Sequence, residues 1–237
     1  MGETVTIEEL EPYFNRQGRI AWVGFDVETT EPLGLDLSIP FQVITGGAAT
    51  GKTNILRILL HQFKGNRIFI SDSQAGDLSH LADDNSVVYM GSASEAEAFI
   101  DELATEVKRL NEKREESKKK LKDFIAGEPA VLVLIDDGDT FISYVAAKGT
   151  AVEPLLKQAG ELGVCFIATT VSSQFRGLGS IDKPFKAPQT GLVLGNPNDA
   201  TMHFPNVNVH RTYKASPGIG FWTRRGEVKK IKLPFLE

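Results

Sequence analysis

Predominantly apolar runs recur along this chain and predict strands that are buried on both faces. The clearest runs are residues 41–45, 130–135 and 164–169, and shorter ones lie at 19–25, 67–71, 86–90 and 191–195. Strands without a polar face are typical of the centre of a parallel sheet that helices cover on both sides.

Apolar residues spaced three or four apart predict the helices between these strands. Residues 55–63 and 153–162 form two such helices, and a short helix is expected after Thr6. The longest predicted helix spans 94–125, with Ser94 and Glu97 as a capping box. Its apolar stripe ends after Leu110, so residues 111–120 are expected to project into solvent.

The order of these elements predicts the fold class. Strands and helices alternate, and two alternating segments at 219–223 and 228–233 flank a turn and predict a C-terminal β-hairpin. The chain shows no internal repeat and no linker long enough to divide it. We therefore expect a single α/β domain over residues 1–237, with a mostly parallel central sheet and helices on both faces.

A glycine-rich motif follows the strand at 41–45. Residues 46–53 match G-x-x-x-x-G-K-[ST] at every fixed position, and the first apolar helix comes directly after them. Between a strand and a helix, this pattern is typical of a phosphate-binding loop, because small residues let backbone N–H groups approach a triphosphate. The residues predicted to bind the nucleotide are Gly46, Gly47, Ala48, Ala49, Thr50, Gly51, Lys52, Thr53 and Asn54.

Each chemical role in this motif falls on a particular side chain. Lys52 would contact the β- and γ-phosphates as a catalytic cation, and the Thr53 hydroxyl would ligate Mg²⁺. The sequence thus predicts ATP and Mg²⁺ as cofactors.

Polar residues end two of the other apolar strands. Asp136 and Asp137 follow the run at 130–135, and Thr169 and Thr170 end the next one. Because strand carboxyl ends face the ligand crevice in open α/β sheets, Asp136 is predicted to ligate Mg²⁺. Asp137 could be the base that orients an attacking water, or it could simply end the strand. The same alternatives hold for Thr169 and Thr170 as sensors of the γ-phosphate.

Composition argues against several classes of protein. A net charge of −5 and a pI near 5.5 argue against a dedicated nucleic-acid binder, which usually carries an excess of positive charge. The single cysteine, Cys165, lies in an apolar run, so a disulfide within the chain is impossible and a buried thiol is expected. The four histidines lack zinc-ligand spacing, and no apolar run approaches the ~20 residues that span a membrane.

The loop motif and the strand-end residues together resemble those of FtsK/SpoIIIE-type P-loop ATPases. Within that group, several stretches are similar to the type VII secretion ATPases of the EccC/EssC family. These are Gly34-Leu-Asp-Leu, Val131-Leu-Val-Leu-Ile-Asp-Asp, Gly163-Val-Cys-Phe-Ile-Ala-Thr, Lys186-Ala-Pro-Gln-Thr-Gly-Leu-Val-Leu-Gly and Pro217-Gly-Ile-Gly-Phe-Trp. The fourth stretch and the C-terminal hairpin most resemble the last ATPase domain of those chains.

This resemblance implies a RecA-like fold within a longer, membrane-anchored protein at the cytoplasmic face of the bacterial membrane. It also implies tandem ATPase domains, hexameric assembly and export of small helical proteins of the WXG100 kind. In the family, the last ATPase domain can bind the C-terminal export signal of a substrate. No nucleic-acid partner is expected.

Two departures from the family pattern predict slow hydrolysis. Asp137 stands where such ATPases usually carry glutamate, and Thr170 stands where DNA-pumping relatives often carry glutamine. Two other functions stay open: a DNA translocase motor, and a nucleotide-stabilised interaction module with little turnover.

Two further sites have only sets of candidates. The candidates for an arginine finger are Arg176, Arg211, Arg224 and Arg225. A groove for an amphipathic export signal could use apolar residues before the hairpin, for which core packing is the alternative; these are Phe175, Leu178, Ile181 and Phe185.

Overall fold

One twisted sheet organises the whole chain in the computed structural model. The structure describes residues 5–171, 179–186, 189–200, 203–210 and 212–236. Its strands are β1 Ile20–Asp26, β2 Pro32–Asp36, β3 Phe41–Thr45, β4 Ile68–Ser71, β5 Val87–Met90, β6 Val131–Ile135, β7 Val164–Thr170, β8 Gly191–Leu194, β9 Ile219–Arg224 and β10 Glu227–Lys232. The helices are α1 Ile7–Leu10, α2 Lys52–Gln62, α3 Ala96–Ser117, α4 Leu121–Gly127, α5 Gly138–Val145, α6 Val152–Glu161 and α7 Lys183–Lys186.

The sheet has a parallel part and an antiparallel part. The strand order is β2-β1-β10-β9-β8-β3-β7-β6-β4-β5. The run from β8 to β5 is parallel throughout, whereas β9, β10, β1 and β2 pair antiparallel. The predicted α/β class and mostly parallel sheet are confirmed.

The predicted C-terminal hairpin is confirmed as β9 and β10. Arg224 pairs with Glu227, so Arg225 and Gly226 form a two-residue turn. Both have positive φ, at 51° and 91°, which is the requirement of the hairpin turn whose twist matches that of the strands.

Alternate residues of the central strands enter two different apolar cores. Leu132 and Leu134 of β6 pack on the face covered by α2, and Val131 and Val133 pack on the face covered by α3 and α6. This alternation explains why the strands are apolar throughout, since each face meets a helix layer. Cys165 points into the α2 side and is fully buried, and burial raises the pKa of its thiol to about 12.

The predicted helix over 94–125 is two helices. α3 ends at Ser117, Lys118 adopts a left-handed φ of 54°, and α4 then runs back with Phe124 buried. Residues 111–120 are largely exposed, as the pattern predicted. The polar residues after Leu110 extend α3 only as far as Ser117 and have no apolar face to bury. The chain then turns at Lys118, and α4 buries Phe124.

The predicted capping box of Ser94 and Glu97 is wrong. Glu95 takes the role of the acid, since its carboxylate accepts the backbone N–H of Gly91 at 2.7 Å and the Ser92 hydroxyl at 3.1 Å. Glu97 instead forms an ion pair with Lys148 at 2.8 Å. A short 3₁₀ turn, Ala93–Glu95, precedes α3 and moves the start of the helix to Ala96.

Leu134→Ala is expected to lower the free energy of unfolding by about 2–5 kcal/mol. Leu134 lies in β6 and is fully buried on the sheet face that α2 covers, so its truncation leaves a cavity that the surrounding layer cannot fill freely. Urea unfolding would measure the change. Leu121→Ala is the matched control, because Leu121 is 38% exposed and should lose less than half as much. Equal losses in the two variants would contradict this picture of the core.

Candidate functional site

The glycine loop connects β3 to α2 at the carboxyl edge of the sheet. Gly51 has a φ of +94° and Ala49 one of +57°, so the loop passes through left-handed conformations before α2 begins. A Cβ on Gly46 would lie 2.6 Å from the Leu194 carbonyl oxygen, so this position has room only for glycine. The loop therefore presents backbone and the N-terminus of α2, an arrangement that favours an anion.

Lys52 lies across this loop. Its Nζ donates to the carbonyl oxygens of Gly46 at 3.0 Å and Gly47 at 2.7 Å. Burial lowers the pKa of Lys52, and the nearby carboxylates of Asp136 and Asp137 oppose that shift. The Lys52 ammonium group is thus held in the loop, and its contact with phosphates stays a prediction.

Asp136 lies at the centre of a cluster of hydroxyl groups. Its Oδ1 accepts the Thr169 hydroxyl at 3.0 Å, and the Thr53 hydroxyl lies 3.3 Å and 3.4 Å from its two oxygens. The side chain is 5% exposed, and its burial raises the pKa, with a further upward contribution from Asp72, while the hydrogen bonds lower it. The structure therefore brings together Thr53 and Asp136, the two predicted metal ligands, and places Thr169, the candidate γ-phosphate sensor, beside them. Their roles stay predictions.

These side chains have the right chemistry for Mg²⁺. A hydroxyl and a carboxylate are the hard oxygen ligands that this ion prefers, with water and phosphate completing its shell. In the described part of the chain, no group of three or more His, Cys, Asp or Glu side chains gathers to hold a metal. Any ion would therefore rest on Thr53 and Asp136 together with the nucleotide.

Asp137 adjoins the cluster but is engaged elsewhere. Its Oδ2 accepts the Thr140 hydroxyl at 2.6 Å, and its backbone N–H donates to Thr169 Oγ1 at 2.9 Å. The positive φ of 76° at Asp137 turns the backbone from the end of β6 into the start of α5. The Asp137 carboxylate thus accepts a hydrogen bond from the first turn of α5. Its charge still acts on Lys52, whose pKa it raises.

The two threonines that end β7 have different roles. Thr169 bonds to Asp136, whereas the Thr170 hydroxyl donates to the adjacent Val171 carbonyl at 3.1 Å. Thr170 also accepts the Gly46 N–H through its own carbonyl, at 3.2 Å. Of the two, only Thr169 has a side chain within the cluster.

The sequence analysis missed Asp72, at the end of β4. It is fully buried, and its carboxylate accepts the backbone N–H groups of Ser73 and Leu78 and the Tyr89 hydroxyl at 2.7 Å. The signal was present, because an acid also follows the apolar run at 67–71. Its charge acts on Asp136, since both strands end at the same edge.

The side chain of Asn54 binds the C-terminal segment. Its Nδ2 donates to the Pro234 carbonyl at 2.8 Å, and its Oδ1 accepts the Leu236 N–H at 2.9 Å. Any contact of Asn54 with a nucleotide would therefore be left to its backbone.

A largely apolar cavity of about 300 Å³ adjoins the loop at this point. Its lining comes from the two ends of the chain and from the loop, and consists of Val5, Thr50, Gly51, Asn54, Pro217, Gly218, Lys232, Leu233, Pro234 and Phe235. Phe235 is 70% exposed, which is unusual for a phenylalanine in a folded domain. Sequence patterns alone gave no indication of this cavity, because its walls are far apart in the chain.

The remaining candidates divide into three groups. Arg176, Arg211, Phe175 and Leu178 lie outside the described residues. Phe185 is a core residue, 2% exposed and edge-on to Phe41, so it offers no surface to a partner, and Ile181 is partly buried against the same core. Arg224 pairs with Asp36 of the same chain, and Arg225 lies exposed in the hairpin turn.

Among the described residues, no helix is long and apolar enough to cross a membrane. No protein-family model matches the sequence, and no curated protein matches it significantly.

Three solved structures have a similar fold. The cytoplasmic domain of EssC aligns with a TM-score of 0.83 at 16% identity, over 100% of this chain and 48% of that one. Thermomonospora curvata EccC (ATPases 2 and 3), in complex with a signal sequence peptide, aligns with a TM-score of 0.72 at 18% identity, over 100% and 44%. The pCW3 conjugation coupling protein TcpA, a monomer form with ATPγS, gives 0.67 at 14% identity, over 96% and 69%.

These likenesses show that the chain shares its fold with these three structures, at 14–18% identity. The predicted resemblance to EssC and EccC is confirmed at the level of structure. The chain spans about half the length of the EssC and EccC chains that it matches.

Asp136→Asn is expected to stabilise the ligand-free protein at neutral pH by roughly 0.5–2 kcal/mol, a gain typical of relieving strain in a site. The substitution removes a buried charge whose burial raises its pKa. A carboxyl group with a raised folded-state pKa costs stability above that pKa, so the gain should shrink as the pH falls toward the ordinary value of 3.8.

Urea unfolding without nucleotide or Mg²⁺, across this pH range, would measure the effect. Asp101→Asn, at an exposed position of α3, is the matched control and should change little. A destabilised Asp136→Asn protein at neutral pH would show that the hydrogen bonds to the carboxylate outweigh its burial.

Proposed function

We propose that this chain binds ATP and Mg²⁺ and serves as one ATPase domain of a protein-export motor of the EssC and EccC kind. The observation that carries the proposal is the cluster of Lys52, Thr53, Asp136 and Thr169 beside the glycine loop. These side chains come from α2, β6 and β7 and converge at one edge of the sheet.

In this proposal the phosphates lie against the backbone N–H groups of residues 46–53, with Lys52 on the β- and γ-phosphates. A phosphate is a stronger partner for Lys52 than the carbonyl oxygens that now hold it, because its negative charge adds Coulombic attraction to the hydrogen bond. The lysine would therefore exchange them for the nucleotide. Thr53 and Asp136 would hold Mg²⁺, which bridges phosphate oxygens and neutralises their charge.

The apolar cavity beside Thr50 and Gly51 is the natural place for the base. At about 300 Å³ it suits a flat aromatic ring, and Phe235 offers an exposed ring at its mouth. Backbone groups of the loop and of residues 217–218 would contact the sugar and base.

The geometry of Asp137 supports slow hydrolysis. Aspartate is one methylene shorter than glutamate, and its carboxylate is already bound by Thr140. Of the two candidate arginines in the described part of the chain, Arg224 pairs with Asp36 and Arg225 lies exposed in the hairpin turn. In this proposal an arginine from a neighbouring subunit completes the site. Such an arginine contributes roughly 10³–10⁵ in rate in GTPases.

A protein cargo fits the charge distribution better than DNA does. The chain is net acidic, and three of the four cations of α3 pair with glutamates: Lys108 with Glu112, Arg109 with Glu106 and Lys113 with Glu128. A nucleic-acid groove needs unpaired cations in a row. The alternative of a DNA translocase is favoured only by the fold that TcpA shares.

The finer parts of the proposal follow from the proteins that the fold resembles. The signal sequence peptide bound to the Thermomonospora curvata EccC structure supports recognition of an export signal by this domain too. Small helical WXG100-like proteins would then be its substrates, and assembly into hexamers with other ATPase domains of a membrane-anchored parent would form the motor. Residues 1–237 would be one such domain.

Lys52→Ala is expected to weaken Mg-ATP binding by about tenfold or more, since a hydrogen bond to a charged group is worth roughly 1.5–3 kcal/mol. Isothermal titration calorimetry would measure the affinity. Lys157→Ala, which removes an exposed lysine from α6, is the matched control and should bind like the parent. Equal affinity in all three proteins would remove the basis for the proposed function.

The isolated chain is expected to turn over ATP below the ~1–10³ per second typical of enzymes. Asp137→Glu should raise the rate severalfold by extending the carboxylate toward the phosphates, whereas Asp101→Glu should leave it unchanged. A coupled phosphate-release assay on protein verified as monomeric would measure both rates. Turnover of tens per second by the parent monomer would contradict the need for a neighbouring arginine.

A further inference from the structure

A second cavity lies at the opposite edge of the sheet from the glycine loop. Its volume is about 470 Å³, and it opens at the amino ends of β4 and β6. Its walls come from the segment before β1, the turn after α2, the outer face of α3 and the residues that lead into β6. We call it the amino-edge cavity; its lining is Arg16, Gln17, Lys64, Gly65, Asn66, Arg67, Arg109, Lys113, Glu128, Pro129, Ala130 and Val131.

The lining of the amino-edge cavity is strongly basic, although the chain as a whole is acidic. Five cationic side chains line it, and Glu128 is the single carboxylate in the lining. Three of the cations already hold glutamates: Arg67 with Glu102 at 2.7 Å, Arg109 with Glu106 at 2.7 Å, and Lys113 with Glu128 at 2.6 Å.

Two cations have no such partner. Within the described ranges, neither Arg16 nor Lys64 has a carboxylate at ion-pair distance, and both are exposed at the mouth of the cavity. The Asn66 side chain fixes their segments relative to each other, because its Nδ2 donates to the carbonyl oxygens of Arg16 and Ala130 at 3.1 Å and 3.0 Å. Asp84 is attracted to Lys64 without reaching ion-pair distance. Both cations are therefore presented without an ion pair, from a tethered backbone.

We propose that the amino-edge cavity binds a short acidic segment of a partner protein, with two carboxylates contacting Arg16 and Lys64. The existing contacts show the chemistry that this site accepts, since every paired cation in it holds a glutamate. Pro129, Ala130 and Val131 supply an apolar floor against which the backbone of such a segment could pack.

A nucleic-acid strand is the less suitable ligand. Glu102, Glu106 and Glu128 lie among the cations and would repel a continuous row of phosphates. A peptide carries its carboxylates on flexible side chains. It can therefore place two of them at Arg16 and Lys64 and turn the others toward solvent, whereas the phosphates of a nucleic acid are fixed along its backbone.

The position of the cavity allows it to act together with the nucleotide site. β6 begins at Val131 in the cavity lining and ends at Ile135, roughly 13 Å away at about 3.3 Å per residue, and Asp136 follows directly. Partner and nucleotide could therefore be bound at the same time, at opposite ends of the same strands.

Fluorescence anisotropy with a labelled hexaglutamate peptide tests the proposal on the full 237-residue chain. The parent protein should bind saturably at low salt and more weakly as salt is raised. The double variant Arg16→Glu/Lys64→Glu should lose at least about tenfold in affinity. Lys157→Glu/Lys214→Glu, which makes the same charge change at exposed positions away from the cavity, should stay within twofold of the parent.

Two further probes separate the alternatives. A hexaglutamine peptide should not bind, and single-stranded oligothymidylate should bind more weakly than hexaglutamate. No hexaglutamate binding, equal losses in the two double variants, or a preference for oligothymidylate would each overturn the proposal. Thermal unfolding and Mg-ATP affinity check that the cavity variant is folded, and Arg16→Gln/Lys64→Gln replaces it if it is not. Because the cavity is remote from the loop, its failure would leave the proposed ATPase function untouched.

Discussion

Parallel pairing of β3, β7 and β6 fixes where every polar group of the site lies. The register places Thr45 opposite Thr170 and Ile135 opposite Ala168, so β6 ends two residues before β3 and β7 and Asp136 follows it beside Thr169. The loop, the threonines and the acids then emerge at one edge of the sheet. Without that register, Asp136 could not reach both Thr53 and Thr169, because the three residues are far apart in sequence.

This arrangement also carries an electrostatic cost, because it buries charged groups close together. Asp136 and Asp72 bring two carboxylates into nearly complete burial at neighbouring strand ends, and the charge of Asp72 raises the pKa of Asp136. Lys52 is drawn over the same region, although burial lowers its own pKa. Under the proposed function, a divalent cation and a polyphosphate would offset these unfavourable electrostatic interactions. The apolar layers on both faces of the sheet supply the stability that offsets this cost.

Sequence patterns predicted the parts of the fold that depend on period and local chemistry. The central strands, the glycine loop, α2, α6 and the C-terminal hairpin all followed from apolar runs and turn residues. The break at Lys118 and the capping by Glu95 did not, because both depend on where the chain must return to bury Phe124 and on a 3₁₀ turn. Lys52 and Thr53 were predicted from the loop motif, and Asp136 and Thr169 from strand ends. Asp72 was missed although an acid after an apolar run is visible in the sequence. The role of Asn54 and both cavities were missed because each arises from segments that only tertiary structure brings together.

The tie between Asn54 and the C-terminal segment has a consequence for how the domain is made. The cavity beside the glycine loop is lined by Val5, by loop and α2 residues and by the segments 217–218 and 232–235. Thr6 and Phe235 also form an isolated parallel bridge, which closes a loop of nearly the entire described chain. Loop closure over such a length carries an entropic cost that must be met before those contacts form. During synthesis, the glycine loop would emerge early and stay open on one side until the segment after β10 docks on α2. A ribosome-bound fragment that ends before this segment would therefore contain the glycine loop but not the complete cavity beside it.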